Sequence, residues 1–226
     1  MSIQNETKAP KNLPFTTDLE YLQAELAWVR TRTRRIEATT LAVDQDPAVA
    51  RMPSVRVRAV YNDATANMAG QLAVEEQAVR QEIDERLALN RAGGPGLGLD
   101  RLCLDHHLGQ FERTVLLLTT IPCLGYSMME THVAPLRPRY NSTLIEAGVV
   151  SLFLELDTKA GLEALLCLLP DAPLRKARLI SLAYDVVTPA AALDVGFELT
   201  GKALAAITGI QDFAKFADAD LLPDVD

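Results

Sequence analysis

The sequence predicts a mainly α-helical chain carrying one small β-hairpin, and three observations predict it. Apolar residues make up 49% of the 226 residues but aromatics only 5%, so the core is built from Leu, Ala and Val, which suits helix packing. Two long stretches, 18–42 and 63–91, repeat their apolar residues near the helical period. After Pro170 the period shortens towards the alternation of strands. The composition also excludes wholesale disorder. The net charge of −8 has the wrong sign for a generally cationic nucleic-acid binder.

Residues 1–17, with Pro10 and Pro14 and few apolar side chains, read as a flexible arm. Thr17-Asp18 forms an N-cap ahead of Leu19. Leu19, Leu22, Leu26, Val29 and Ile36 then mark a long amphipathic helix over 18–42. Its acids (Asp18, Glu20, Glu25) come early and its arginines (Arg30, Arg32, Arg34, Arg35) late, which complements the helix dipole. The apolar stripe is narrow, as in a coiled-coil or partner-facing helix. Leu22, Leu26, Trp28, Arg32 and Arg35 are therefore the candidate partner-binding residues, with Arg32, Arg34 and Arg35 as a small basic patch beyond Trp28.

Asp46-Pro47 and Met52-Pro53 interrupt the next segment, where Val55, Val57 and Ala59 alternate with Arg56 and Arg58 as in a short strand. A second long helix over 63–91 carries Met68, Leu72, Val79, Ile83 and Leu87 in its stripe and is expected to pair antiparallel with the first. Gly93 to Gly98 is the clearest breaker and the expected boundary between a long-helix region, 18–92, and a second domain, 99–209.

In that second domain, Asp100 caps a helix over 100–108 ended by Gly109, and a strongly apolar helix over 110–121 is stopped by Pro122. A short helix spans 126–133, and Pro135 and Pro138 force a loop. Asn141 or Ser142 caps a helix over 143–154, and another runs over 158–168 before Pro170. Ala177–Val187 and Leu193–Leu199 read as the strands of a hairpin around Thr188-Pro189. Thr200 caps a helix over 201–208 closed by Gly209. Residues 210–226 read as an acidic linker, with Asp212, Asp218, Asp220, Asp224 and Asp226 against Lys215. Helices followed by a hairpin and a final helix are a winged-helix-like order.

Candidate chemistry is sparse. Gly196 to Ala203 has the G-x-x-x-x-G-K spacing of a phosphate loop, but Ala203 replaces the Mg²⁺-binding hydroxyl and Phe197 and Leu199 are bulky, so a strand-to-helix junction is expected. Gly93 to Gly98 contains G-x-G but follows a helix rather than a strand, which makes it a linker. Cys103 and His107 share a helix face, but a metal site would need Cys123 and His132 to complete it. The carboxylate pairs Glu75-Glu76 and Asp84-Glu85 read as solvated surface charge. Cys103, Cys123 and Cys167 lie in apolar surroundings as reduced, buried small hydrophobes. The N-terminus shows no secretory pattern and no apolar run is long enough to span a membrane, so the expected compartment is the cytoplasm.

Four segments carry a family resemblance. Asp18 to Trp28 (DLEYLQAELAW) resembles the opening helix "D-L-x-Y-L-x-A-E-L-x-W" of a group of bacterial AAA+ ATPases associated with contractile injection systems. Leu108 to Leu118 (LGQFERTVLLL) resembles their "L-x-x-F-E-R-x-x-L-L-L" segment, which lies ahead of the ATPase module. Pro170 to Ile180 (PDAPLRKARLI) resembles their "A-P-L-R-x-x-x-L" segment, and 193–209 their last strand and helix before the linker. The blocks keep their order across 18–209.

The resemblance implies an N-terminal helical and winged-helix region that recruits substrate or docks the motor. It carries over no catalytic or cofactor residue, because this chain has no intact Walker A loop, Walker B acid pair or arginine-finger context. ATP and Mg²⁺ are expected only of a downstream ATPase domain. The expected function is thus a non-catalytic adaptor that binds protein partners, or itself, through the long helices. The alternative is a winged-helix DNA-binding regulator. Its best recognition helix, 143–154, contains Glu146 and no basic residue, which argues against nucleic acid.

Overall fold

The computed structural model describes residues 13–43, 63–136, 144–183 and 193–218. Helices α1 (Asp18–Val43) and α2 (Asp63–Arg91) occupy the two stretches of helical period. The Thr17 hydroxyl accepts the Glu20 N–H at 3.1 Å, and the Glu20 carboxylate accepts the Thr16 N–H at 2.8 Å, so α1 starts on a reciprocal cap. The helices pair antiparallel, since the ion pairs Glu20–Arg86, Glu25–Arg80 and Arg32–Glu76 climb one helix while descending the other.

Eight further helices and strands run on from α2. They are α3 (Gly98–Asp105), α4 (Gln110–Cys123), α5 (Tyr126–His132), β1 (Ile145–Glu146), α6 (Ala147–Phe153), α7 (Thr158–Ala164), α8 (Pro173–Lys176) and β2 (Ile180–Leu182). The strand β3 (Gly196–Leu199) and the helix α9 (Gly201–Thr208) follow, with 3-10 turns at Ala134–Leu136, Leu165–Leu168 and Gln211–Asp218. The sheet is antiparallel in the order β1-β3-β2, with Ile145 opposite Phe197 and Ile180 opposite Leu199.

Helix α4 is the centre. Val115, Leu116, Leu117, Leu118 and Ile121 are fully buried. Its buried Thr119 and Thr120 donate to the carbonyls of Val115 and Leu116 at 2.6 and 2.8 Å, so their hydroxyls are satisfied within the helix.

Several expectations hold. Thr200 accepts the Ala203 N–H at 3.3 Å and Gly209, at φ 74°, closes α9 in the left-handed conformation. The hairpin strands fall inside the two alternating runs. Others are corrected. Helix α3 begins two residues before Asp100, with Leu97 at its cap, because Asp100 is buried in an ion pair with Arg91. Within 143–154 the chain forms β1 and then α6, because Ile145 and Glu146 pair with β3.

The glycine stretch at 93–98 is a turn and not a break in the core. One cluster of buried side chains joins Phe15, Leu26, Leu87 and Leu97 to Leu116, Phe153 and Phe197. Gly98 donates its N–H to Asp18 at 2.5 Å, and a Cβ there would overlap the Ala206 carbonyl oxygen. The glycine lets α3 and α9 approach. Residues 13–17 also join the body: Phe15 is fully buried, packs tilted against Tyr21 with ring centres 5.1 Å apart, and exchanges backbone hydrogen bonds with the Asn90 amide. The strand expected over 55–59, the Asn141 and Ser142 caps, the Thr188-Pro189 turn and the tail from 219 lie outside the described residues.

Candidate functional site

The five residues that the sequence offers as a partner surface are brought together, but inside the chain. Leu22, Leu26 and Trp28 are 1, 6 and 7% exposed. Helix α1 is buried around most of its circumference because Glu25, Thr31 and Thr33 are buried along with its apolar stripe. The stripe looks narrow in sequence only because α1 packs through polar side chains as well. Trp28 meets Phe153 edge-on at 5.4 Å, and the guanidinium groups of Arg32 and Arg80 lie 5.7 and 5.2 Å from its ring centre.

Arg32 and Arg35 form a clasp. Arg32 donates to Glu76 at 2.6 Å, to the Phe153 carbonyl at 2.7 Å and to Glu155 at 3.1 Å. Arg35 donates to Glu76 and, at 3.0 Å, to Glu155. The hydrogen bond from Arg35 holds the Glu155 carboxyl below the usual carboxylate range, and the same bond raises Arg35. Glu155 has φ 54°, an uncommon conformation for a residue with a side chain, so the clasp holds a strained turn. Glu76 is thus no solvated surface carboxylate: it is 8% exposed between two guanidinium groups. A groove of about 890 Å³ runs beside α1 and α2 past Trp28, Arg32, Arg35 and Arg80, but those arginines are all paired within the chain.

Deeper in the same seam, Glu25 is fully buried and accepts from Arg113 and, at 3.0 Å, from Arg80. Arg113 also donates to the Tyr21 hydroxyl at 3.0 Å. Burial works against the charge on Arg113, but Glu25 and Tyr21 together outweigh it, so Arg113 stays above its ordinary value.

The remaining candidates are placed as follows. Gly196 and Phe197 are buried in β3, and Thr200 begins α9, which makes the phosphate-loop spacing a strand-to-helix junction. Among the described residues no three His, Cys, Asp or Glu side chains are grouped to hold a metal ion. His132 is buried with Nδ1 3.0 Å from the Met128 carbonyl, and burial lowers its pKa. Burial pushes the Cys103 thiol up to about 11 and Cys167 to about 12. Cys123 is exposed, contrary to expectation, because it closes α4 beyond the apolar turns. Among the described residues no helix is long and apolar enough to cross a membrane.

A different surface is open. Helices α6 and α7 are joined by the turn 154–157, with the Asp157 carboxylate accepting the Ala160 N–H at 2.8 Å as the cap of α7. Two short helices joined by such a turn form a helix-turn-helix, in which the second helix is the one presented to a ligand. On that second helix and its 3-10 extension, Leu162, Leu166 and Leu169 are 63, 61 and 49% exposed, while Cys167 and Leu168 are buried. The one lysine of α7, Lys159, faces Glu163 at 3.6 Å. Sequence reasoning missed this face. The run Ala164 to Leu169 is apolar on every side, so periodicity cannot separate its outward leucines from its inward ones. The stretch 143–154, the recognition-helix candidate of the sequence, holds β1 and α6, and α7 follows it across the turn.

A central helix, a first strand, a helix-turn-helix and a two-strand wing completing a three-strand sheet define a winged-helix protein, here with a helical hairpin built into its core. The chain belongs to the winged helix domain family in its variant form, whose model matches residues 4–213. The matched stretch includes α1 and α2, so the hairpin is part of the family's unit. No curated protein and no solved structure matches the chain.

Proposed function

We propose that this chain is a non-catalytic, partner-recruiting adaptor domain, the N-terminal module of a cytoplasmic AAA+ ATPase of the kind linked to contractile injection systems. The observation that carries the recruiting role is the face of α7. Where a DNA-reading winged helix aims arginine, lysine or amide side chains at base edges, α7 and the 3-10 turn that continues it expose Leu162, Leu166 and Leu169, and Lys159 pairs with Glu163. Exposed aliphatic side chains at the presenting position suit a protein partner. The motor assignment rests on the four resembling segments, of which 18–28 and 108–118 form α1 and the start of α4. The long helices then act as the rigid frame and not as the docking face.

Three measurements test this reading. The purified chain is expected to show no ATP turnover above background and no salt-sensitive retardation of duplex DNA. The coding sequence after residue 226 is expected to carry a P-loop. Deleting residues 1–218 from the intact motor is expected to abolish substrate remodelling while ATP hydrolysis persists. Turnover by the chain alone, or specific DNA binding, contradicts the proposal.

A further inference from the structure

Beside the leucine face lies a groove of about 310 Å³, near the small end of volumes that hold a ligand or a few inserted side chains. Phe111 from α4, Leu166, Cys167 and Leu169 form an apolar floor. Its rim is acidic: Glu112 from the first turn of α4, Glu163 from α7, and Asp171 from the turn before α8. The nearby cations leave that rim negative. Lys159 pairs with Glu163 at 3.6 Å, and Arg175 turns its guanidinium to the Leu168 carbonyl at 2.8 Å. After burial, the charge of Glu112 is what raises the Cys167 thiol, so the rim's field reaches the groove floor.

We infer that this groove docks a short segment of a partner protein in which two aliphatic anchors are flanked by lysine or arginine. The inference rests on the protein-docking reading of α7 and adds the chemistry of the partner. Leu166 and Leu169 meet the anchors, and Glu112, Glu163 and Asp171 meet the flanking cations. An apolar floor with Leu166 and Leu169 exposed supplies affinity, and a one-sign rim supplies orientation and rejects acidic segments.

The test is selection of a random peptide library on the full chain, followed by fluorescence anisotropy with the enriched peptides. Enriched sequences are expected to combine Leu, Ile or Met pairs with Lys or Arg flanks, and to bind more weakly as salt rises. Leu166→Asp is expected to weaken binding at least about tenfold, a loss typical of an interface anchor. The double variant Glu112→Lys, Glu163→Lys is expected to weaken it several-fold and to favour acidic peptides instead. Circular dichroism melts of both variants check folding, which the exposure of Leu166 and Glu163 and the partial exposure of Glu112 favour. Acidic or neutral peptides that still depend on Leu166 overturn the charge inference and leave the docking reading standing. Peptides indifferent to Leu166, or no enrichment together with DNA binding, overturn both.

Discussion

The seam between α1 and α2 and the face of α7 invert the usual arrangement in opposite directions. The seam buries charge: Glu25 is fully buried and Glu76 nearly so, each between two guanidinium groups. The α7 face exposes leucine, with Leu162 and Leu166 more than half open. Buried polar groups and exposed apolar patches are the informative departures in a folded chain. In the seam both oxygens of Glu25 and both of Glu76 have a geometrically defined partner, so the charges fix the pairing and register of the helices. Among the described residues nothing covers the α7 leucines, which leaves them open to a contact from outside. Charge here is architecture, and the exposed apolar surface is the proposed docking face.

The largest way to break this contrast is Glu25→Ala. It leaves Arg80 and Arg113 without their shared partner, and removal of one side of such a buried set costs about 3–5 kcal/mol. A urea or guanidinium titration should show the loss. A cost below that of an exposed pair would place the seam in solvent.

Asn90→Ala comes next. Its side chain accepts the Phe15 N–H and donates to the Phe15 and Pro95 carbonyls at 2.8, 2.8 and 3.0 Å. Leaving such buried backbone groups unpaired costs about 1–3 kcal/mol, and proteolysis near residues 13–17 should accelerate.

Acid is expected to loosen the seam from its edge. The Thr16 backbone N–H, then Arg86 and the Thr16 hydroxyl, hold Glu20 at about 2 against an ordinary 4.5. The unfolded chain therefore takes up the proton first, so this contribution is complete above 4.5 and is lost as pH falls towards 2. Glu20→Gln should flatten the melting temperature against pH across that window; an unchanged slope would remove Glu20 from the account. The smallest stability effect is on α7. Leu162→Ser with Leu166→Ser should shift stability by no more than about 0.5 kcal/mol per site, as for exposed substitutions elsewhere. A loss as large as that of Glu25→Ala would mean that these leucines belong to the core.

Much of the fold is legible where one local rule governs. Thr17, Thr200 and Gly209 mark helix ends through their own backbone chemistry, and Val115 to Leu118 announce a central helix by being apolar on every side. The sites are less legible because they depend on what lies across the interface. Arg32 and Arg35 read as a surface patch until Glu155, some 120 positions later, is brought against them. Leu162 and Leu166 sit in a leucine-rich helix whose outward side is unmarked until the fold turns Cys167 and Leu168 inward. The two-residue strand β1 exists only by pairing with β3, so no local signal marks it.

Hydroxyl-radical footprinting, read residue by residue by mass spectrometry, tests the central contrast most directly. Tryptophan reacts faster than leucine in solution, yet the folded chain is predicted to protect its single tryptophan, Trp28, together with Leu22 and Leu26, while Leu162, Leu166 and Leu169 label readily. Rapid labelling of Trp28 with protection of the α7 leucines would contradict the account and return the docking surface to the long helices.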